Sequence, residues 1–343
     1  MKKAVSLLLV LLLLCAALPA WAQEAPLAGT IDAADKHGNV STTLPAADLF
    51  ARCALGDLLV ITIGDQRITA PLVRRYSDVN TGEPLVFENG EGMVALAINY
   101  KSFQDTYGAQ PGTAFTLELL EAGAYLEQYE IRNLVKSESR DDYASDEIFA
   151  NFRPVIEGVL YRGANPILAD DARAPYVMAL VEAAGVKTVV NLAQTMDELE
   201  GDPYGGRDVI AVGMGTDPQG EGFAPALKTA LEFMASHDGP YFIHCNEGKD
   251  RAGMVCALLE GLIGFTPEEI TADYMTSYVN YYGVEEGTEK YALLAQQIQT
   301  LMETMTSAPM NADTLSQRVE AYLTDTVGLS GETLQTLRER LKN

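Results

Sequence analysis

Hydrophobic and polar positions change their period about two-fifths of the way along the chain. Up to about residue 120 the apolar residues come in short alternating or β-branched runs. These are "DLLVITI" (57–63), "ITAPLV" (68–73), "MVALAIN" (93–99) and "AFTLEL" (114–119). Gly64-Asp65, Asn80-Thr81-Gly82 and Gly90-Glu91-Gly92 interrupt them with turn chemistry. This pattern predicts a small all-β, barrel-like domain over 27–135. The stretch "KSESRDDYASDE" (136–147) has almost no apolar residue and reads as a charged linker.

Beyond it, over 148–343, strands and helices alternate. Val177, Leu180, Val181 and Ala184 share a helical face, Gly185 suits the helix exit, and "KTVVNL" (187–192) reads as a buried strand. "VIAVGM" (209–214) and "YFIH" (241–244) are further strands of that kind. Pro225 fits a first helical turn, ahead of a face made by Leu227, Ala230, Leu231 and Met234. After "YFIH" comes a polar loop, then a helix that would bury Val255, Leu258, Leu259 and Leu262. Thr266-Pro267-Glu268-Glu269 has the spacing of a capping box. Residues 313–341 read as two short helices joined near Gly328. The expectation is an α/β domain whose parallel sheet is flanked by helices.

The first 26 residues follow a different rule. Lys2 and Lys3 precede an apolar run, Ala4–Leu18, and Ala20-Trp21-Ala22 offers a small-x-small cleavage site. The run is short for a bilayer span and is followed by Pro19, so residues 1–22 read as a secretory signal rather than a retained anchor. Lipid attachment at Cys15 fits less well, because Leu14 stands where a small residue is expected. The expected location is secreted or periplasmic, with no stable membrane insertion once the signal is removed. Cys53, Cys245 and Cys256 then remain, an odd number that does not make a disulfide framework.

Hydrophobic residues make up 48% of the chain, which suits a globular protein, and the formal net charge is −24. Such an acidic excess repels nucleic acid and anionic membranes, so an anionic ligand must be drawn in by a local site. One stretch offers such a site: "HCNEGKDRAG" (244–253), between the "YFIH" strand and the following helix. A strand entering a tight loop that opens a helix presents converging backbone N–H groups to an anion. A cysteine at the start of that loop lies in a field favouring the thiolate, which makes Cys245 a candidate nucleophile. Arg251 offers a planar fork for two phosphoryl oxygens, Gly248 permits unusual backbone geometry, and His244 could orient the loop from behind. Asn246, Glu247 and Lys249 complete the set expected around a phosphate. Lys249 could recognise heavily phosphorylated substrates or be a solvated side chain, and Glu247 opposes an anion unless it points to solvent.

"HCNEGKDR" resembles the H-C-x5-R signature of the cysteine-dependent protein tyrosine and dual-specificity phosphatases. Its Lys-Asp pair is most similar to the bacterial tyrosine/serine phosphatase branch. "NFRPVIEGVLYRGANP" (151–166), "GVKTVVNL" (185–192), "ITADYMTSY" (270–278) and "YLTDTVGLSGETLQTLRERL" (322–341) resemble further segments of that branch. The resemblance implies a parallel-sheet cysteine phosphatase fold without a metal or other cofactor. It also implies attack on a phosphate monoester and a cysteinyl-phosphate intermediate that water then hydrolyses. Two residues are candidates for the general acid. Asp217 lies 28 residues before Cys245, a separation that fits the family's mobile acid loop, but could be a turn residue beside Pro218. Asp250 lies inside the loop, where the branch carries an aspartate, but could instead stabilise the helix N-terminus. Ala252 departs from the Ser or Thr usual after the arginine.

The expected substrate is a phosphorylated protein, phosphotyrosine above all, or a small phosphate ester. Inositol polyphosphates or phosphoinositides are the alternative, and a silent phosphate-binding module is a third possibility. In the first domain, Tyr76, Asp78-Val79, Gly82-Glu83-Pro84-Leu85, Asn99 and Gly108-x-x-x-Gly112 resemble the C-terminal β-domain of S-adenosylmethionine hydroxide adenosyltransferases. Gly90-Glu91 replaces that family's usual serine pair, and its catalytic domain is missing here. A structural or substrate-positioning role is therefore expected.

Overall fold

The computed structural model describes residues 25–342, so the signal-peptide reading of 1–22 lies outside the described residues. The chain divides into two compact units between Tyr129 and Glu130.

The first unit is built on seven strands: β1 (Leu27–Ala34), β2 (Val40–Pro45), β3 (Leu58–Ile63), β4 (Gln66–Pro71), β5 (Pro84–Glu88), β6 (Met93–Ile98) and β7 (Ala114–Glu121). They form one antiparallel sheet in the order β4-β3-β7-β1-β2-β6-β5. Its two edges meet where the Val73 amide donates to the Val86 carbonyl at 3.0 Å, so the sheet nearly closes into a barrel. Leu59, Ile61, Leu96, Phe103 and Phe115 fill the interior. The four runs read from the sequence are β3, β4, β6 and β7. β1, β2 and β5 lack a clear apolar alternation. In β2, for example, Thr42 takes an inward position by donating its hydroxyl to the Val94 carbonyl at 2.8 Å.

The second unit contains β8 (Arg153–Ile156), β9 (Leu160–Gly163), β10 (Thr188–Asn191), β11 (Asp208–Ala211) and β12 (Tyr241–His244). The order is β11-β10-β12-β9-β8, parallel except for the antiparallel edge strand β8. One face of the sheet is covered by a core that includes Leu227, Leu231, Val255, Leu258, Leu259 and Leu262, and another cluster gathers Val177, Val181, Val189 and Phe242. Cys256 is fully buried in the first of these cores, and burial pushes its thiol pKa up, as suits a small apolar filler. The capping box forms as its spacing requires: Thr266 Oγ1 accepts from the Glu269 amide at 3.2 Å, and Glu269 Oε2 accepts from the Thr266 amide at 2.8 Å.

Residues 136–147 differ from the linker expectation. They lie in the second unit and are fastened to it by Arg173, only 1% exposed. Its guanidinium donates to the Ser137 carbonyl and the Glu138 carboxylate, and packs 4.7 Å from the Phe149 ring centroid. A polar composition here signals many side-chain hydrogen bonds rather than mobility. Periodicity does not find β8 or β9: β8 has no fully buried position, and β9 buries Arg162, a charge that only tertiary partners can satisfy.

Candidate active site

Strand β12 runs into the loop at Cys245, and the helix Asp250–Ile263 leaves it. Cys245 is 3% exposed at the base of the loop. The loop's carbonyls are all tied outward. Asn246 O accepts from the Asn165 amide at 3.0 Å, and Glu247 O from Asn151 Nδ2 at 3.0 Å and the Tyr281 hydroxyl at 2.8 Å. Gly248 O accepts from Arg162 Nη2 at 3.0 Å, and Lys249 O from the same nitrogen at 2.9 Å. Among the described residues no acceptor takes the N–H groups of residues 246–249. Holding the carbonyls outward directs those amides toward the concave side, which makes an anion cradle.

Gly248 is indispensable to that shape. Its φ is +69°, and a Cβ there would lie 2.2 Å from the Gly163 carbonyl carbon. Arg162, which grips the loop from β9, is itself buried and paired with Asp273. Arg153 joins them, donating to Asp273 Oδ1 at 2.8 Å. Burial alone would raise the Asp273 pKa, but the two guanidiniums hold it below the usual carboxylate range.

His244 is fully buried behind the cysteine. Burial, reinforced by Arg251, lowers its pKa to about 3 against the opposing contact with Cys245, so the ring is neutral. Nδ1–H donates to the Cys245 carbonyl at 3.3 Å, so Nε2 must accept from the Tyr204 hydroxyl at 2.7 Å. Asn191 Nδ2 in turn donates to Tyr204 at 2.9 Å. This chain of hydrogen bonds fixes the backbone at Cys245 from behind. Arg251 donates through Nη1 to the carbonyls of Leu192 at 3.0 Å and Met214 at 3.2 Å, beyond the ends of β10 and β11. Its remaining N–H groups make no hydrogen bond to the described residues, so the fork is oriented with one edge open.

The two acid candidates sit differently. Asp217 is exposed and closes its own turn, accepting from the Gln219 amide at 2.9 Å. Asp250 begins the helix, with about half of its side chain (48%) exposed. Removal from bulk water raises its pKa; Lys249 opposes that shift and Glu247 adds to it. Lys249 is not the solvated side chain considered above. Its side chain is 14% exposed and its ammonium lies 5.0 Å from the Tyr278 ring centroid and 3.3 Å from the Tyr282 hydroxyl. Burial works against its charge, yet Asp250, Tyr282 and Glu247 hold its pKa above the ordinary lysine range. Glu247 is ion-paired on both sides, with Lys136 at 3.6 Å and Lys249 at 3.7 Å. Asn246 is exposed.

Residues 218–343 match the model of the tyrosine phosphatase family. That match takes in the Cys245–Arg251 loop and the helices after it, so this part of the second unit is similar to the tyrosine phosphatases. Residues 29–116 match the C-terminal domain of S-adenosylmethionine hydroxide adenosyltransferases. Among solved structures, an uncharacterized conserved protein from Thermotoga maritima is 26% identical over 28% of this chain and 38% of its own, with a TM-score of 0.26. A conserved hypothetical protein from Thermus thermophilus has 35% of its length spanned, at 25% identity over 27% of this chain, with a TM-score of 0.22. The chain thus covers well under half of each of these two proteins. TpbA from P. aeruginosa, solved with phosphotyrosine, is 18% identical over 50% of this chain and 92% of its own, with a TM-score of 0.32.

The loop also depends on residues for which sequence reasoning gave no role. Arg162, Asn151 and Tyr281 hold the loop from outside its own segment, and Asp273 holds Arg162. Arg162 and Asn151 lie within the quoted 151–166 stretch and Asp273 within 270–278, yet nothing local distinguishes a buried arginine that carries a loop from one on the surface.

Proposed function

We propose that this chain is an exported phosphatase that hydrolyses phosphate monoesters through a cysteinyl-phosphate intermediate. The observation carrying this reading is the cradle itself: four outward-tied carbonyls, four unclaimed amides and a buried thiol at their base. In the proposed reaction the cradle amides and the open edge of Arg251 bind the phosphoryl oxygens. Cys245 Sγ attacks phosphorus, an S–P bond forms, and the P–O bond to the leaving alcohol breaks. Asp250 gives the alcohol oxygen its proton. Its raised pKa supports that role, because it keeps more of the carboxyl protonated near neutrality. Asp217 stays the alternative acid, reached only if its turn opens. Water then attacks phosphorus and gives a proton back to the Asp250 carboxylate; the S–P bond breaks, phosphate leaves, and the sulfur and Asp250 return to the state in which the cycle began. Ala252 supplies no hydroxyl to this second step.

Phosphotyrosine is the substrate class that the family description names. A second reading, hydrolysis of inositol polyphosphates, is favoured by the partly buried Lys249 beside the cradle. A panel containing an aryl phosphate, a phosphotyrosine peptide and phytate, compared by kcat/KM, separates the two. Cys245→Ser is expected to abolish turnover of every member while retaining phosphate binding. Residual turnover in that variant would refute the covalent mechanism, and a wild-type protein that only binds phosphate would identify a silent module.

A further inference from the structure

The mechanism above leaves one arrangement beside the cradle unused. Glu247 is a carboxylate on a loop shaped for anions, and it stays there because each oxygen faces a different ammonium group. Oε1 lies 3.6 Å from Lys136 Nζ, and Oε2 lies 3.7 Å from Lys249 Nζ. Both distances exceed a normal hydrogen bond, so the pairs are electrostatic and loosely closed. The two lysines are unusually enclosed, with side chains only 17% and 14% exposed, while that of Glu247 is 34% exposed.

Their positions are set independently of Glu247. Lys136 donates to Glu138 Oε1 at 2.7 Å and lies 5.7 Å from the Tyr281 ring centroid. Glu138 is itself gripped by Arg173 and is thereby committed. Lys249 rests on Tyr278 and Tyr282, with Asp250 4.0 Å away. The Glu247 backbone is likewise fixed through its carbonyl by Asn151 and Tyr281, so its side chain can leave without moving the cradle. What results is a carboxylate-sized gap between two positioned ammonium groups, filled by the most exposed member of the trio. Lys136 comes from the 136–147 segment, outside the residues that match the phosphatase family.

We propose that Lys136 and Lys249 form a second anion subsite, occupied by Glu247 at rest and by the second phosphoryl group of a multiply phosphorylated small molecule during catalysis. The subsite rests on the phosphatase reading and narrows it. A phosphoryl group carries more charge than the carboxylate and has three oxygens, enough to bridge two ammonium groups at once. A substrate with one phosphate leaves Glu247 in place and gains nothing from Lys136. Glu247 therefore acts as a competitor within the site, making the preference depend on a second phosphate adjacent to the first.

The test uses the full-length mature protein, with phenyl phosphate and a vicinal inositol bisphosphate as probes. In the Cys245→Ser background, which binds without turnover, calorimetry is expected to give tighter binding of the bisphosphate. Adding Lys136→Met should weaken bisphosphate binding about tenfold relative to phenyl phosphate, and adding Glu247→Gln should strengthen it several-fold. The kcat/KM ratio of the two probes in the Cys245-containing proteins should move in the same directions. Equal effects of Lys136→Met on both probes, or no effect of either substitution on the ratio, would overturn the subsite even where phenyl phosphate is hydrolysed. Loss of hydrolysis with the binding ratios intact would overturn the catalytic reading and leave the subsite standing.

Discussion

Single residues divide into those that react and those that hold reacting groups still. Asp250, the acid of the proposed reaction, stands for the first kind. Its pKa is raised in the folded protein, so it stays protonated to higher pH than an ordinary aspartate. Activity toward esters with poor leaving groups should fall as pH rises through that value. Asp250→Asn should lower kcat about 100-fold for such esters and remove this limb of the profile, with a much smaller loss for a good leaving group. The same result from Asp217→Asn, with Asp250→Asn silent, would reassign the acid. His244 illustrates the second kind. Its folded pKa, about 3, lies below the unfolded value, so the neutral ring contributes stability at pH above the unfolded value. That stability is lost as pH falls through the unfolded pKa toward the folded one, by roughly 5 kcal/mol over the whole window. Denaturant titrations at successive pH values should show this slope. Nitrogen chemical shifts of the ring should report no protonation down to pH about 4.

At the scale of elements, the loop is shaped by its neighbours as much as by its own sequence. The helix Pro267–Tyr282 supplies Asp273, Ser277 and Tyr281, while β9 supplies Arg162. Gly248 lies where β9 and the loop touch, and its positive φ and contact with Gly163 exclude a side chain. Gly248→Ala should therefore displace the cradle rather than the fold. The expected result is a loss of kcat/KM of at least about 100-fold, with most of the circular dichroism spectrum retained. Unaltered activity would mean that the loop relaxes without cost. The segment 136–147 follows the same logic at the other side of the cradle, since Arg173 turns a charged stretch into a fixed strap carrying Lys136.

Over the whole molecule, the two units have separate cores, one inside the nearly closed barrel and the other on the parallel sheet. Every side chain named around the cradle belongs to the second unit. Residues 130–343 expressed alone should therefore fold cooperatively and hydrolyse an aryl phosphate within a few-fold of a chain spanning residues 23–343. A shorter fragment starting at residue 148 should be less stable, because it lacks the groups that satisfy the buried Arg173. A folded but inactive 130–343 fragment would assign a catalytic part to the barrel.

Much of this protein could be read from local order. The strands β3, β4, β6, β7, β10, β11 and β12 declare themselves by short apolar runs bounded by turn residues. The loop declares itself because a strand that enters a tight, glycine-containing loop opening a helix presents its amides to an anion, and because its cysteine and arginine resemble the spacing of a known signature. Local pattern could not find β8 and β9, the outward-tied carbonyls, or the strap at 136–147. Each depends on an enclosed charge whose partner lies far away in the chain: Arg153 and Arg162 with Asp273, Arg173 with Glu138. A sequence records that a residue is charged, while only the folded chain decides which charges leave water together. The side chains that give the cradle its shape were therefore fixed by tertiary structure.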